Sequence, residues 1–414
     1  MAIDFSLSAS QRKFQLECRA FAQAELGGVA AAVRDLPTPA ARFQATRPMY
    51  EAVVREGFLR RLIPQPFGGE GTGLIDMAIL TEEFYAVDAN VSLTLLATLL
   101  GLMPVFLAGS PAQQRELLAP FLATTGAPLA SLANSEPGGS ANYAAPAPAV
   151  GVRTTARLDG DEWVINGHKK WMNGAGWDGQ GADLLCVVCR SDPTAPPAQA
   201  ISVIAVPKPA QGFELRRLID TVGNRAHPAP EFALKNVRVP YDHVLGTPGA
   251  GRGIVDASFT GTAALVGIMG VGLMRAAFDF ALQFAKTERR GGARPILEHQ
   301  AVGYALADAK TTLEAARYLG WKACHAMDAQ SPGALEVALH SKIFGSEAAV
   351  RVITSLMSVV GIDSYDHELP LGGLLQDALV LPLFDGGNMG VRRRQLHELL
   401  MSEDYQTLDA AGAA

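Results

Sequence analysis

The spacing of apolar residues changes twice along the chain, and this order restricts the fold more than any other feature. Up to about residue 125, segments such as MYEAVVREGFLRRLI place apolar residues three or four positions apart, which is typical of amphipathic helices. From 126 to 245 the pattern alternates in period two, with Asp159-Gly160 and Asn166-Gly167 as hairpin signals. From 246 to 414 long helical patterns return. The sequence therefore predicts an α+β protein with an N-terminal helical domain, a middle all-β domain and a C-terminal helical bundle.

Length and charge exclude several classes of protein. With 414 residues the chain can build several domains around large cores. Its formal net charge of -6 gives no electrostatic reason to expect a nucleic-acid partner. Four cysteines are too few for a disulfide framework in so long a chain, so we expect a reducing, cytoplasmic environment. The first residues also lack the basic segment and apolar core of a signal peptide.

One uncharged stretch, residues 89–114, is similar to a membrane span in composition. Gly101 and Pro104 interrupt it, and serine and threonine recur through it. We therefore expect no membrane contact. We expect instead a buried helix that lines a substrate pocket, with Leu99 and Met103 in the lining.

Metal, hydrolase and nucleotide-hydrolysing sites lack their usual motifs. Cys186 and Cys189 form a CxxC, but no second pair completes a zinc site, so we expect buried strand cysteines. His397-Glu398 lacks the second histidine of HExxH, Ser135 lies outside a GxSxG motif, and no Walker A sequence occurs. We therefore expect no metal.

Three other stretches are consistent with a dinucleotide site. Residues 131–143, SLANSEPGGSANY, form a turn-rich run of hydroxyls and backbone amides suited to hydrogen-bonding a polar heterocycle. Trp171 ends a hairpin strand, where its indole could stack on such a ring. Arg289, Arg290 and Arg294 lie at a helix terminus and could clamp a pyrophosphate. Each stretch alone also fits a turn, a core tryptophan or a solvated helix end, and their order along the chain favours the site.

These stretches resemble the motifs of the acyl-CoA dehydrogenase superfamily of FAD enzymes. SEPGGSAN resembles its TEPGAGSD loop, INGHKKWMNGAG its NGxKxWITNxG, ERRGGARPILEHQ its ERxxFGxxxxxxQ, and LQDALVLPLFDGG its MRDAKxxxIYEGT, whose glutamate is the catalytic base. The match makes Asp385 the base. Where acyl-CoA enzymes carry serine, aspartate and threonine, this chain has Ala141, Asn142 and Gly387, which argues against a thioester substrate.

The resemblance covers the whole chain and implies a particular architecture. It implies an N-terminal α-helical domain (1–125), a middle β-barrel-like domain (126–245) and a C-terminal four-helix bundle (246–414). It also implies a homotetramer with FAD near a subunit interface.

The nitroalkane oxidase branch of that superfamily is similar in stretches from the first helix to the last, including RFQATRP, GLMPV, PLASL, TAALVG and PLFDGGNMGVRRRQ. In that branch an aspartate is the base and an arginine seven residues on pairs with it, which implies Asp385 and Arg392 here. A serine that hydrogen-bonds the aspartate corresponds to Thr262. A serine facing flavin N5 corresponds to Asn173, in a loop one residue shorter.

The predicted site residues fall into three groups. Catalysis is expected from Asp385, Arg392 and Thr262, and a substrate pocket from Leu99, Met103 and Phe384. The residues expected to bind FAD are Leu132, Asn134, Ser135, Gly139, Ser140, Trp171, Asn173, Arg289, Gln300, Gly386, Gly387 and Asn388.

The resemblance implies a FAD-dependent nitroalkane oxidase whose partners are a nitroalkane and O₂. Asp385 would remove the α-proton, the carbanion would add to flavin N5, and nitrite would leave. An aldehyde or ketone would form, and O₂ would reoxidise FAD to give H₂O₂. Two alternatives remain open: an acyl-CoA dehydrogenase with an aspartate base, and a non-catalytic FAD-binding scaffold.

Overall fold

The computed structural model describes residues 6–145, 149, 151–208 and 210–407. Within them the elements run helices, strands, helices, as the apolar periodicity predicts. The N-terminal helices are α1 (Ala9–Phe21), α2 (Val29–Val33), α3 (Pro39–Ala45), α4 (Arg47–Arg55), α5 (Phe58–Arg61), α6 (Leu74–Tyr85), α7 (Ala89–Ala108) and α8 (Pro111–Leu118).

Most of the uncharged stretch, residues 89–108, forms the single helix α7, and its last four residues, 111–114, begin α8. Asp88 caps the first turn of α7 by accepting a hydrogen bond from Val91 N at 2.6 Å. By length and composition α7, α9 (Gly251–Thr287) and the segment Ala334–Tyr365 could each cross a membrane. In the fold, however, 67% of the most apolar window of α7 is buried inside the protein, where the helix packs against the first strand and α9. The apolar surface of α7 is thus used mainly in internal packing.

The middle of the chain forms one seven-stranded sheet in the order β1-β4-β2-β3-β7-β6, with β5 paired to β4. Two of its pairings, β1 with β4 and β2 with β4, are parallel, and the others are antiparallel. The strands are β1 (Ala130–Ala133), β2 (Thr155–Asp159), β3 (Glu162–Lys170), β4 (Leu184–Arg190), β5 (Ile201–Pro207), β6 (Phe213–Leu218) and β7 (Pro230–Pro240).

One of the two hairpin signals is right and the other is wrong. Asp159 pairs with Glu162 across the β2–β3 turn, where Gly160 has a φ of 67°. The Asn166-Gly167 pair instead lies inside β3, at a bulge where the pairing with β7 shifts register. A Cβ at Gly167 would lie 2.6 Å from Thr154 Cβ, so the glycine permits close packing within the sheet rather than a turn.

The C-terminal part is a bundle of long helices that pack on α6 and α7. Glycines let these helices approach closely: a Cβ at Gly272 would lie 2.6 Å from Tyr85 Cβ, and one at Gly345 would lie 2.7 Å from Gly267 Cα. This packing fixes the position of α9 relative to the turn that follows residue 378. The helices are α9, α10 (Gln300–Asp328), α11 (Ala334–Val360), α12 (Pro370–Ala378) and α13 (Arg393–Leu400).

Candidate active site

The turn between α12 and α13 carries Asp385 in a backbone conformation that is unusual for a residue with a side chain. Asp385 has a φ of 50°, and the following Gly386 and Gly387 have φ values of 88° and 63°. Three successive residues thus have positive φ, and two of them are glycines because only glycine adopts such values without steric cost. A π-helical turn, Asn388–Arg392, then leads into α13.

Both carboxylate oxygens of Asp385 are hydrogen-bonded. Thr262 Oγ1, on α9, donates to Oδ1 at 3.0 Å, and Arg392 Nη2 donates to Oδ2 at 2.7 Å. The side chains of Asp385 and Arg392 are only 4% and 1% exposed. The structure therefore brings together the three residues predicted to be catalytic, as a buried ion pair supported by one hydroxyl.

Arg392 is also bonded beyond the carboxylate. Its Nε donates to the backbone oxygen of Asp385 at 2.8 Å, its Nη1 to Gln395 Oε1 at 3.1 Å, and its Nη2 to Phe259 O at 3.1 Å. A buried guanidinium is tolerated only when its charge and its N–H groups find partners. Here the partners come from the acid, α9 and α13, so the cation is held in a fixed orientation.

Of the three residues predicted to line the substrate pocket, two lie in partly exposed positions near the acid. Phe384 directly precedes Asp385 and is half-buried. Met103 is also half-buried, and a Cβ at Gly261, next to Thr262, would lie 3.0 Å from Met103 Cε. Leu99 is 2% exposed and belongs to the hydrophobic core. On α7, Met103 is thus partly accessible beside Gly261, whereas Leu99 is packed in the core.

The turn-rich loop after β1 is held by a buried lysine that sequence reasoning did not find. Lys169 on β3 is fully buried, and its Nζ donates to Asn134 O at 3.1 Å and Glu136 Oε1 at 3.0 Å. Burial alone would raise the pKa of Glu136, but the charge of Lys169 and the hydrogen bonds from Thr154 and the backbone lower it instead. The ion pair fastens the loop to the sheet.

Two residues predicted to bind FAD contain buried oxygens without a partner among the described residues. They are Asn134 Oδ1 and Asn173 Oδ1. Orphaned buried acceptors are costly, and a ligand that presents N–H groups would satisfy them. The amide nitrogen of Asn173 already donates to Thr98 Oγ1 at 3.3 Å, so only its oxygen is left for a cofactor.

Trp171 presents a large aromatic surface beside these asparagines. It follows β3 directly, has a φ of 84°, and is 51% exposed. Its backbone N–H donates to Pro230 O at 2.8 Å, which fixes the unusual backbone conformation. An exposed indole on a rigid support fits the stacking partner of a planar ring. The orphaned acceptors and this indole together fit a flavin.

The other predicted cofactor residues occupy varied positions. Ser135 and Ser140 are half-buried, Gly139 is exposed, and Leu132 is buried. Ser140 Oγ accepts a hydrogen bond from Glu136 N at 2.8 Å, so it shapes the loop.

The side chain of Asn388 is not available to a ligand. It is buried, and its amide bonds to Lys342, Ser346 and Glu347. Any contact between this residue and FAD is left to its backbone.

Arg289 and Gln300 lie far from the acid within one chain. Thr262 is near the start of α9 and Thr287 is its last residue, so the two are separated by roughly 37 Å of helix. Arg289 follows that end, and Gln300 begins α10. One FAD molecule whose ring reaches Asp385 cannot also reach these residues, so the chain by itself does not bring all the predicted cofactor residues together.

The described residues contain no group of three or more side chains that could hold a metal ion. Cys186 and Cys189 are free and buried on β4, and burial raises the pKa of the Cys189 thiol to about 12. Neither thiol is poised to bind a metal or act as a nucleophile.

The architecture and the buried acid define a member of a known family. Family models for the acyl-CoA dehydrogenase N-terminal, middle and C-terminal domains match residues 8–125, 131–237 and 249–401. The chain therefore belongs to the acyl-CoA dehydrogenase family, and the predicted fold class and FAD cofactor agree with this membership.

Within the family, the chain is similar to nitroalkane oxidases. It is 48% identical to nitroalkane oxidase of Podospora anserina, over 98% of this chain and 97% of that protein. The Podospora anserina nitroalkane oxidase structure superposes with a TM-score of 0.95 at 46% identity, covering 100% of both chains. An active-site mutant of nitroalkane oxidase crystallised with 1-nitrohexane has a TM-score of 0.96 at 39% identity, covering 99% of this chain and 100% of that one. These relatives identify the chain as an enzyme of the flavin oxidoreductase type.

Proposed function

We propose that the chain is a FAD-dependent nitroalkane oxidase. The reaction takes a nitroalkane, water and O₂ and gives an aldehyde or ketone, nitrite and H₂O₂. The observation that carries the proposal is the buried Asp385, with one oxygen on Thr262 and the other on Arg392. This arrangement occurs in a chain similar over its length to nitroalkane oxidases, one of which was crystallised with 1-nitrohexane.

The substrate's acidity matches the strength of this base. A nitro group delocalises the charge left when its α-proton departs, so the C–H bond is far more acidic than that of an alkane. An unperturbed aspartate has a pKa of about 3.9 and is a weak base in water. In a site from which water is excluded it can still remove a proton from an acidic carbon. The 4% exposure of the Asp385 side chain supports such a site.

Each partner of the carboxylate has a distinct part. Arg392 forms an ion pair with the carboxylate of Asp385 and orients it through the 2.7 Å bond to Oδ2. Thr262 donates to Oδ1, which restricts rotation of the carboxylate and points its remaining lone pairs in fixed directions. We propose that Asp385 takes the α-proton on one of these lone pairs, while Phe384 and Met103 contact the alkyl chain.

FAD, when bound, would accept the electrons of the substrate carbanion and pass them to O₂. Trp171 would stack on its ring, and Asn134 and Asn173 would accept hydrogen bonds from it. Because Arg289 and Gln300 lie at the far end of α9, we propose that they hold the FAD of a second copy, within a homotetramer. The four free, buried cysteines support a reducing, cytoplasmic location for this assembly.

The test measures oxygen uptake and nitrite release by the purified protein with a primary nitroalkane, beside a short acyl-CoA. Nitrite formed in step with oxygen consumption supports the proposal. Flavin bleaching by the acyl-CoA without oxygen uptake would identify a dehydrogenase with an aspartate base. A flavin that no substrate reduces would indicate a non-catalytic scaffold.

Substitution of the base gives the sharper comparison. Asp385→Asn keeps the size of the side chain but removes the proton acceptor. Turnover of the neutral nitroalkane should fall by about 10²–10⁴-fold, whereas oxidation of the pre-ionised nitronate should survive far better. Equal losses on both substrates would show that Asp385 is not the base.

A further inference from the structure

The turn that carries Asp385 needs support from outside itself. The chain leaves α12 at Ala378 and re-enters helical structure at Asn388. Between them Asp385 adopts a φ of 50°, a region that costs a residue with a Cβ free energy. The bonds from Thr262 and Arg392 act on Asp385 itself. The ends of the turn must be held by other groups if the carboxylate is to keep its place.

A second buried cation closes the turn. Lys342 on α11 is fully buried, and its Nζ donates to Leu381 O at 3.0 Å and to Asn388 Oδ1 at 2.6 Å. These two acceptors lie on either side of Asp385 in the chain. One ammonium group therefore ties both ends of the turn to the same point on α11.

The acceptor on the far side is itself fixed. The amide nitrogen of Asn388 donates to Ser346 Oγ and to Glu347 Oε1, each at 3.0 Å. Ser346 and Glu347 lie one turn along α11 from Lys342. The side chain of Asn388 is thus held from both ends, and it transmits the position of α11 to the residues that follow Asp385.

Charge adds to this geometry. The charged groups facing Lys342 are Asp385 from the turn, Arg392 from the π-helical turn, Glu347 from α11 and Arg393 from α13. Burial lowers the pKa of Lys342 to about 8, and the negative charge of Asp385 opposes this. The ammonium donates to Leu381 O and Asn388 Oδ1, and its interaction with the carboxylate of Asp385 is through space.

We propose that Lys342, through Asn388, is a positioning residue that holds Asp385 in its left-handed conformation. The inference deepens the proposed function and rests on Asp385 as its base. Loss of the clamp would misplace the carboxylate relative to the substrate.

The clamp is tested by comparing variants. Lys342→Met removes both anchors of the turn, whereas Asn388→Ala removes one of them. Both should lower kcat for a neutral nitroalkane, by about 10-fold or more in Lys342→Met and by less in Asn388→Ala, with little change in KM. Lys342→Arg, which can still donate to Leu381 O and Asn388 Oδ1, should recover part of the lost kcat. An unchanged kcat in Lys342→Met, or a loss that appears only in KM, would overturn the proposal.

A measurement that needs no turnover distinguishes this proposal from the proposed function. Thermal unfolding of wild type, Lys342→Met, Asp385→Asn and the double variant forms a double-mutant cycle. If Lys342 holds the turn, the two changes in midpoint should not add, because each disrupts the same structure. Strict additivity would overturn the clamp even in a fully active enzyme. Coupling without nitroalkane turnover by the wild type would retain the clamp and reject the function. Should Lys342→Met fail to fold, the cycle is run with Asn388→Ala under the same criterion.

Discussion

Asp385 and Arg392 are joined twice, since Arg392 Nη2 donates to Asp385 Oδ2 at 2.7 Å and Arg392 Nε donates to the backbone oxygen of Asp385 at 2.8 Å. The arginine thus fixes both the carboxylate and the left-handed backbone that bears it. The planar guanidinium presents Nε and Nη2 to the two acceptors in a fixed geometry, which the flexible ammonium of a lysine lacks.

Two replacements of Arg392 should therefore distinguish the contribution of its charge to activity from that of its planar guanidinium. Arg392→Lys keeps the charge and should lower kcat/KM for a neutral nitroalkane by about 10-fold. Arg392→Met leaves the buried acid without its hydrogen-bonded cation and should lower kcat/KM by about 10³-fold. Steady-state kinetics tests this, with Arg55→Met as a control, because Arg55 is exposed and forms a surface ion pair with Glu56. Similar losses in the two Arg392 variants would contradict the role given to the planar guanidinium.

The Thr262 hydroxyl should matter through its hydrogen bond and not through its bulk. Thr262→Val preserves shape but removes the donor to Asp385 Oδ1, and hydrogen bonds to charged groups contribute about 1.5–3 kcal/mol. We expect kcat/KM to fall by about 10–100-fold in Thr262→Val and to stay near the wild-type value in Thr262→Ser. A valine variant as active as the wild type would show that the hydroxyl is dispensable.

Much of the fold could be predicted because period-two and helical patterns are local properties of the sequence. The prediction of a hairpin turn at Asn166-Gly167 was wrong because it considered only local sequence. Gly167 stays in a strand because it pairs with β7 and packs against Thr154, contacts that are distant in the sequence. The pairing of Asp385 with Arg392 followed from a motif offset. The buried Lys169 and Lys342 did not, since a lysine in a sequence normally indicates a solvated surface. Lys342 stands alone among apolar and small residues, whereas Lys169 lies beside His168 and Lys170, so its immediate neighbours suggest a polar surface.

Arg289 should contribute to FAD retention without affecting the acid. It lies beyond the end of α9, so Arg289→Ala should leave Asp385 undisturbed and raise the FAD dissociation constant by about 10-fold or more. Fluorescence titration of the apoprotein measures this, with Arg55→Ala as the control, because Arg55 is an exposed arginine on α4, outside the predicted cofactor site. Unchanged FAD affinity in Arg289→Ala would remove this residue from the cofactor site.

If Arg289 serves a second copy, hybrid assemblies should reveal it. In mixed assemblies of Arg289→Ala and Asp385→Asn subunits, some sites would combine the intact Asp385 of the first subunit with the intact Arg289 of the second. At limiting FAD their nitroalkane oxidation should exceed that of either variant alone. Hybrids no more active than the sum of the parents would place both residues in the site of one chain.

Met103 should control the preferred length of the substrate. It is half-buried and packs beside Gly261, next to Thr262, whereas Leu99 belongs to the core. Met103→Ala should therefore shift relative kcat/KM toward longer nitroalkanes. Leu99→Ala should mainly destabilise the fold. We expect its free energy of unfolding to fall by about 2–5 kcal/mol, with a lower thermal midpoint. A shift of chain-length preference in Leu99→Ala alone would reverse this assignment.

The stability of the protein should depend on pH through a partly buried acid outside the active site. Asp377 on α12 accepts a hydrogen bond from Asn224 N at 2.5 Å. Burial, with a smaller contribution from the charge of Asp88, raises the pKa of Asp377 from 3.8 to about 7. The folded state therefore binds this proton more tightly than the unfolded state does. Its stabilising effect is complete below about pH 3.9 and is lost as the pH rises through about 7.

Asp377→Asn should remove that dependence, because the amide oxygen can still accept from Asn224 while no charge develops in the core. Between pH 5 and 8 the wild-type thermal midpoint should fall. The corresponding loss in the free energy of unfolding is on the order of a few kcal/mol at most. The variant's midpoint should change less and should exceed the wild-type value at pH 8. Thermal melts across this range test it, with the exposed Asp308→Asn as the matched control. If Asp377→Asn keeps the wild-type slope with pH, Asp377 is not the group that titrates.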